Sequence, residues 1–438
     1  MTDVCQYKKV FTLRGNKMEN FEGKRLLILG GAPQSIKIVT AAKAMKIHTI
    51  VLDINEDAPA KKFADETVEL SLFDYEGILA WCKANPVDGI INICIDYAQK
   101  TLQYLCERLN LPCFGNAEQV KALTDKSIFK SLCRENGLDV IPEYTEEEVL
   151  EGKVEFPLFV KPAECSGSRG AFICENAEDA VKAIAEAKSV SRNGEVIIEK
   201  YMSNCPDFMI TYIFIEGEPY LQRTSDRYHG FLSDGMENVS ALAISPSKYN
   251  DLFLPQINEK MKKMLKSIKM DTCAVFFQGF IDGDKIRFYD PGIRLPGANF
   301  ENILKAATGI DIVGMFIEYA LTGKITSVDR DALKKAYLLD NKKSAIVFPM
   351  LRPGKIENIC GLEKVEGDSH VISSTYRYTQ GRTVKQTGDV TQRFGEYNVL
   401  ADSTDELKEV LAMIQKELVV LDENGQDMVI SKPDINNI

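Results

Sequence analysis

The stretch FPLFVKPAECSGSRGAFIC, residues 156–174, decides how this chain is read. An apolar run closes on Lys161-Pro162, a loop of small residues follows, and a second apolar run begins at Ala171. A lysine at a strand end is a point charge suited to phosphate oxygens. A loop containing Ser166, Gly167, Ser168 and Gly170 can lay backbone N–H groups over a polyphosphate as a movable cover. The order strand, lysine, loop, strand therefore points to a nucleotide-handling sheet.

Working outward, the neighbouring motifs fit the same task. Upstream, TDKSIFKSL places Lys126 at the start of a helical pattern. Downstream, VIIEKYM is an extended run whose backbone at Glu199, Lys200, Tyr201 and Met202 can meet an adenine edge. Asp207 follows as a carboxylate for ribose hydroxyls, and RYHG brings in His229. Further on, FFQGFIDGDKIRFYDPGIR predicts two antiparallel strands turning at Asp282-Gly283-Asp284. That turn would set Gln278 opposite Asp290, a pair of oxygen donors able to share a hard cation. The alternative for Asp290 is a turn carboxylate paired with Arg294.

Composition narrows the class. At 438 residues, with 45% apolar and 27% charged residues, the chain reads as an ordinary globular protein of two to four domains. A net charge of −11 spread along the chain argues against nucleic acid as a partner, so an anionic ligand needs local basic residues. No run is long enough to cross a bilayer, and residues 1–24 carry no secretory signal, which predicts a flexible tail and a cytoplasmic protein. Eleven scattered cysteines without a C-x-x-C pair, and only three histidines, give no zinc spacing. Cys82, Cys94, Cys106 and Cys133 fall in apolar patterns and read as reduced core residues.

The chain opens with a βαβ pattern, KRLLILGGAPQS into HTIVLDIN, with Gly30-Gly31 between strand and helix. Backbone N–H groups of such a turn can face an anion, and Asp53 at the second strand end is a further candidate for substrate. The run 207–223 reads as a hairpin about Gly217. Residues 247–269 read as one long amphipathic helix, and residues 335–438 as short strands plus a helix with a Ser-Thr-Asp-Glu cap.

Taken in order, Lys126, Lys161, the Ser/Gly loop, E-K-Y-M and D-P-x-x-R resemble the ATP-grasp superfamily, closest to the branch of carbamoyl-phosphate synthetase, biotin carboxylase and phosphoribosylglycinamide synthetase. The resemblance implies a mixed α/β and α+β multidomain fold. Its parts would be a Rossmann-like pre-ATP-grasp domain at 25–118, an ATP-grasp domain at 119–330 with a mobile lid at about 127–197, and a small β-rich domain at 331–438. It also implies that Lys126 and Lys161 hold nucleotide phosphates, that 166–170 form the lid loop, and that Glu199–Met202 and Asp207 bind the nucleoside. Gln278 and Asp290 would hold Mg2+, or Mn2+ in its place, while Lys161, His229 and Arg294 act at the transferring phosphoryl group.

The chain departs from the family's E-x-N-P-R motif by having Asp290 for Glu and Gly292 for Asn. The implied chemistry is ATP-dependent joining of a small carboxylate to an amine, with a homodimer as the family default. The departures leave a second expectation open, a nucleotide-binding regulatory or assembly subunit with little turnover.

Overall fold

A computed structural model of the chain describes residues 21–162, 171–191, 194–229 and 239–438. The tail before residue 21 and the loop residues Ser166, Gly167, Ser168 and Gly170 lie outside these described residues.

The first sheet is parallel, with Arg25–Leu29 between His48–Leu52 and Gly89–Ile91, and Glu66–Val68 at one edge. Leu26–Leu29 and Ile50–Leu52 are fully buried. Apolar side chains run continuously along such strands because both faces are covered. Part of that cover comes from Ile312–Thr322, which packs on Gly89–Ile91 and on the helix Ile36–Ala44. This late helix is apolar nearly all round, as its burial requires.

A second, four-stranded antiparallel sheet has the order Glu143–Tyr144, Val196–Lys200, Leu158–Pro162, Phe172–Cys174. The helix Ala177–Val190 lies on it, burying Ala180, Ala183, Ile184 and Ala187 against Leu158, Val160 and Ile198.

The third sheet is the largest, eight antiparallel strands. It runs from Lys285–Gly292 and Cys273–Asp282 through Asp207–Ile215, Glu218–His229 and Ser240–Ser245 to Lys343–Val347, Gly395–Ala401 and Val371–Tyr376. The expected hairpin is present: Ile215 pairs with Glu218 across Glu216-Gly217, both at positive φ. That two-residue turn matches the right-handed twist of its strands. Pairing of Ser240–Ser245 with Lys343–Val347 carries the sheet straight through the boundary expected at 330–331.

One reading needs correction. Residues 247–269 form two helices, Asn250–Gln256 and Asn258–Ser267, not one. Pro255, inside the first helix, lacks an N–H and its ring crowds the preceding turn, and the helix ends one residue after it. The helix Thr404–Glu417 begins as expected, with the Ser403 hydroxyl accepting from Glu406 N–H. Cys82, Cys94, Cys106 and Cys133 are buried free thiols. Among the described residues no helix is long and apolar enough to cross a membrane.

Candidate functional site

The site is built where the four-stranded sheet meets the edge of the large one. The helix Lys126–Glu135 starts at Asp125, whose carboxylate caps it by accepting from the N–H groups of Ser127 and Ile128. Lys126 and Lys130 fall four residues apart and share one helix face. Lys126 Nζ lies 2.9 Å from Asp290 Oδ1. Burial works against its charge, but Asp290 outweighs that and holds its pKa above the ordinary lysine value.

Lys130 was not among the expected site residues, yet its side chain is only 1% exposed. Strand register explains why it is there. Glu143 sits directly opposite Glu199, and like charges so placed repel. Lys130 enters between them, 2.7 Å from Glu143 Oε1 and bonded to Glu199 Oε1. Lys161, at the end of its strand, takes the other Glu199 oxygen at 2.7 Å. Burial drives Glu199 toward neutrality, but Lys161 and Lys130 overcome it and its pKa falls below the usual value. Burial pulls the Lys161 pKa down, and Glu199 only partly offsets that.

The expected adenine hinge is placed on the same strand. Glu199 turns its carboxylate to the lysines, while the Lys200 ammonium reaches the surface at Glu155, 2.7 Å away. Lys200 N–H donates to Pro142 O and Tyr201 N–H to Pro157 O. Met202, buried at 8% exposure, follows as the chain leaves the strand.

Asp207 begins the next strand and is 2% exposed. Its Oδ2 accepts from Arg227, which is its cross-strand partner, and lies 3.2 Å from His229 Nε2. Asp207 Oδ1 and His229 Nδ1 have no hydrogen-bond partner among the described residues. Arg227 also donates to the Tyr289 hydroxyl at 2.9 Å, next to Asp290. Asp207, Arg227, His229 and Tyr289 thus form one group around a buried carboxylate, of which Arg227 and Tyr289 were not foreseen.

The expected strand pair is present. Gln278 stands in register with Asp290, with a bulge immediately after Gln278, and the turn lies at Gly283-Asp284. These two side chains offer amide and carboxylate oxygens from adjacent strands, the donor type that Mg2+ requires. Among the described residues no group of three or more His, Cys, Asp or Glu forms a metal cluster.

Gly292 has a steric cause. A Cβ there would come within 2.1 Å of the Phe276 ring, its register partner. The same ring carries the Arg294 guanidinium, 4.7 Å from its centroid. Arg294 does not pair with Asp290. It grips Asp96 with two nitrogens, Nη2 to Oδ2 at 2.6 Å, and donates from Nη1 to Leu295 O. Asp96 was missed by sequence reasoning. It follows Gly89–Ile91 at the carboxyl end of the parallel sheet, the rim where such sheets bind ligands.

The glycine turn of the first sheet has its donors used internally. Gly30 N–H donates to Leu52 O, and Gly31 N–H to Asp53 Oδ2, both at 2.8 Å. Asp53 therefore closes the turn, and the two N–H groups do not face a ligand.

Comparison with known proteins gives an independent reading. A family model described as the D-ala D-ala ligase C-terminus matches residues 129–221. A formate-dependent phosphoribosylglycinamide formyltransferase of Bacillus subtilis is 25% identical over 190 residues, 42% of this chain and 49% of that protein. The carbamoyl phosphate synthase large chain of Rhodopirellula baltica is 25% identical over 325 residues, 67% of this chain and 28% of its own. The chain thus spans about half, or less, of these curated relatives. Among solved structures, an L-amino acid ligase from Bacillus licheniformis superposes with a TM-score of 0.75 at 18% identity, covering 92% of this chain and all of that one. These matches bear out the resemblance to the ATP-grasp superfamily.

Proposed function

We propose that the chain is an ATP-dependent carboxylate–amine ligase of the ATP-grasp type, releasing ADP and phosphate. The observation that carries this is the convergence of Lys126, Lys130 and Lys161 on Glu199 and Asp290, with Arg294 and the Asp207–His229 group beside them. Matches to ligase and synthase relatives support the same reaction class.

In this reading residues 25–118 form the pre-ATP-grasp part, 119–330 the ATP-grasp part with its lid near 127–197, and 331–438 the carboxyl-terminal part. ATP enters between the four-stranded sheet and the strand pair 273–292. Its phosphates take Lys161 and Lys126 as partners in exchange for Glu199 and Asp290. Met202 N–H meets the adenine edge, because the N–H groups of Lys200 and Tyr201 are already bonded within the protein. Asp207, with Oδ1 unpartnered, accepts from ribose hydroxyls. His229 lies on the phosphate side of the same group.

The acid's carboxylate oxygen attacks the γ-phosphorus, the bond to ADP breaks, and an acyl phosphate results. The amine nitrogen then attacks the acyl carbon, phosphate leaves, and the amine proton is lost to solvent. In this reading Arg294 and Lys161 hold the charge that grows on the transferring group, and fixed charges of this kind act most strongly where water is excluded. Gln278 and Asp290 would hold Mg2+, which when bound neutralises phosphate charge and fixes its geometry. Asp290 gives up Lys126 as Lys126 turns to phosphate.

The test is ADP release from ATP and Mg2+ across a panel of carboxylic acids paired with amines. At least one pair should stimulate release well above ATP alone. Tight ATP binding with no stimulation by any pair would defeat the ligase reading.

A further inference from the structure

A cavity of about 70 Å³ lies against Gly297 and Asn299, a few residues after Arg294. Its walls come from three parts of the chain: Gln34 after the glycine turn, Gly297 and Asn299 after Arg294, and Arg377, Arg393 and Glu396 from the last strands of the large sheet. Leu295 N–H donates to Ile93 O and the Cys94 thiol lies 3.9 Å from Gln34 O, so the segment after Arg294 and the cavity wall at Gln34 both touch residues 93–94.

Arg393 and Glu396 line this cavity with opposite charges but make no direct ion pair among the described residues. Arg393 lies flat on Phe348, 3.8 Å from the ring centroid, and Nη2 donates to Ser240 O. Its Nε is buried without a partner. Burial lowers the Arg393 pKa to about 10, which the Glu396 charge only partly offsets. Glu396 is 8% exposed and accepts from Asn299 N–H at 2.7 Å, but no described lysine or arginine makes an ion pair with it. Burial raises its pKa above the ordinary value. Asn299 Oδ1 is a buried acceptor without a donor. A guanidinium with an unpartnered Nε, a carboxylate without a direct ion pair and an orphan acceptor thus line one small space among the described residues.

Buried polar groups left without partners are costly, and a ligand that pairs them recovers that cost. A simple anion would satisfy Arg393 but meet Glu396 with like charge. A simple amine would satisfy Glu396 but meet two arginines. A group that carries both signs a few ångströms apart answers both. The volume has room for several water-sized groups, which suits a small head and not a nucleotide.

We propose that this cavity is the acceptor subsite, and that it takes the amino-carboxylate head of a small α-amino acid. The ligand carboxylate lies on Arg393 Nε with Arg377 at the mouth, and the amino group lies on Glu396 and Asn299 Oδ1. This rests on the ligase reading for its place in the reaction, and it makes the amino acid the amine partner delivered past Arg294.

Calorimetric titration of the full chain with single amino acids, in the presence of Mg2+ and a non-hydrolysable ATP analogue, tests this. At least one amino acid should bind, and its deaminated and decarboxylated analogues should each bind about tenfold or more weakly. Arg393→Met should weaken the amino acid by at least about tenfold while changing ATP-analogue affinity less than about twofold. Arg377→Ala, at an exposed mouth position, should fold normally and weaken it by about threefold, so the proposal stays testable if the Arg393 variant does not fold. The proposal is overturned if no amino acid binds to protein that binds the nucleotide, if the deaminated analogue binds as tightly, or if a phosphate-bearing amine binds in its place. Amino acid binding without ADP release under any pairing would leave the subsite standing and remove the ligase reading.

Discussion

Two charged regions, one around Glu199 and Asp290 and one lining the cavity at Gly297 and Asn299, are built on different rules. In the lysine cluster Lys126, Lys130, Lys161, Glu199 and Asp290 each have an opposite charge within reach. On the cavity side Arg393 and Glu396 feel each other's charge but make no direct ion pair among the described residues. The difference is instructive. A self-paired cluster is stable by itself and must exchange partners to hold a ligand. An unpaired one keeps its desolvation cost until a ligand of matching charge arrives.

The largest expected effect breaks the first region at its metal end. Asp290→Asn should reduce Mg2+-dependent ADP release by at least about 100-fold, the scale of losing one placed charge-stabilising group. The urea midpoint should shift little, because the Asp290 side chain is 29% exposed. Unchanged turnover would leave Asp290 a turn residue.

Glu199→Gln attacks the pairing itself. It leaves Lys130 and Lys161 buried with a neutral neighbour, and a loss of about 3 kcal/mol in urea unfolding is expected. A loss below about 1 kcal/mol would mean that Glu143 alone suffices for Lys130.

Gly292→Asn would restore the family residue, but it forces a side chain into the Phe276 ring. Stability should fall by about 1–3 kcal/mol, and adding Phe276→Ala should recover part of it. If the single variant is as stable as the parent, the ring is not what selects glycine.

The smallest effect is a slope. The Glu199 pKa is depressed in the folded state, so its contribution is present above the ordinary glutamate value of 4.5 and is lost as pH falls through the folded value. Urea midpoints measured from neutral pH downward should therefore drop less steeply below 4.5 in Glu199→Gln than in the parent. Parallel slopes would show that Glu199 is not held ionised by the lysines.

Local pattern made much of this legible. The strand ends at Lys161 and Asp290, the Gln278–Asp290 register and the hairpin at Glu216-Gly217 follow from alternation and turn residues within a few positions. What stayed hidden depends on contacts far apart in sequence. Asp96 meets Arg294 across 198 positions, and Glu199 meets Lys130 across 69. Lys130 did leave a trace, its i,i+4 spacing from Lys126 on one helix, and Arg227 left one by alternating with His229 on a strand. The helix break after Pro255 was also readable, since proline interrupts the backbone bonding that apolar periodicity alone does not report. The single sheet running past residue 331 was not readable, because it depends on Ser240–Ser245 pairing with a strand about a hundred residues later.

The central claim is transfer of a phosphoryl group to a carboxylate, and oxygen tracing tests it most directly. With an acid that stimulates ADP release, labelled with oxygen-18 in its carboxylate, the account predicts that the released phosphate carries one labelled oxygen. Unlabelled phosphate would show that water, not the acid, attacks ATP, and would contradict the account.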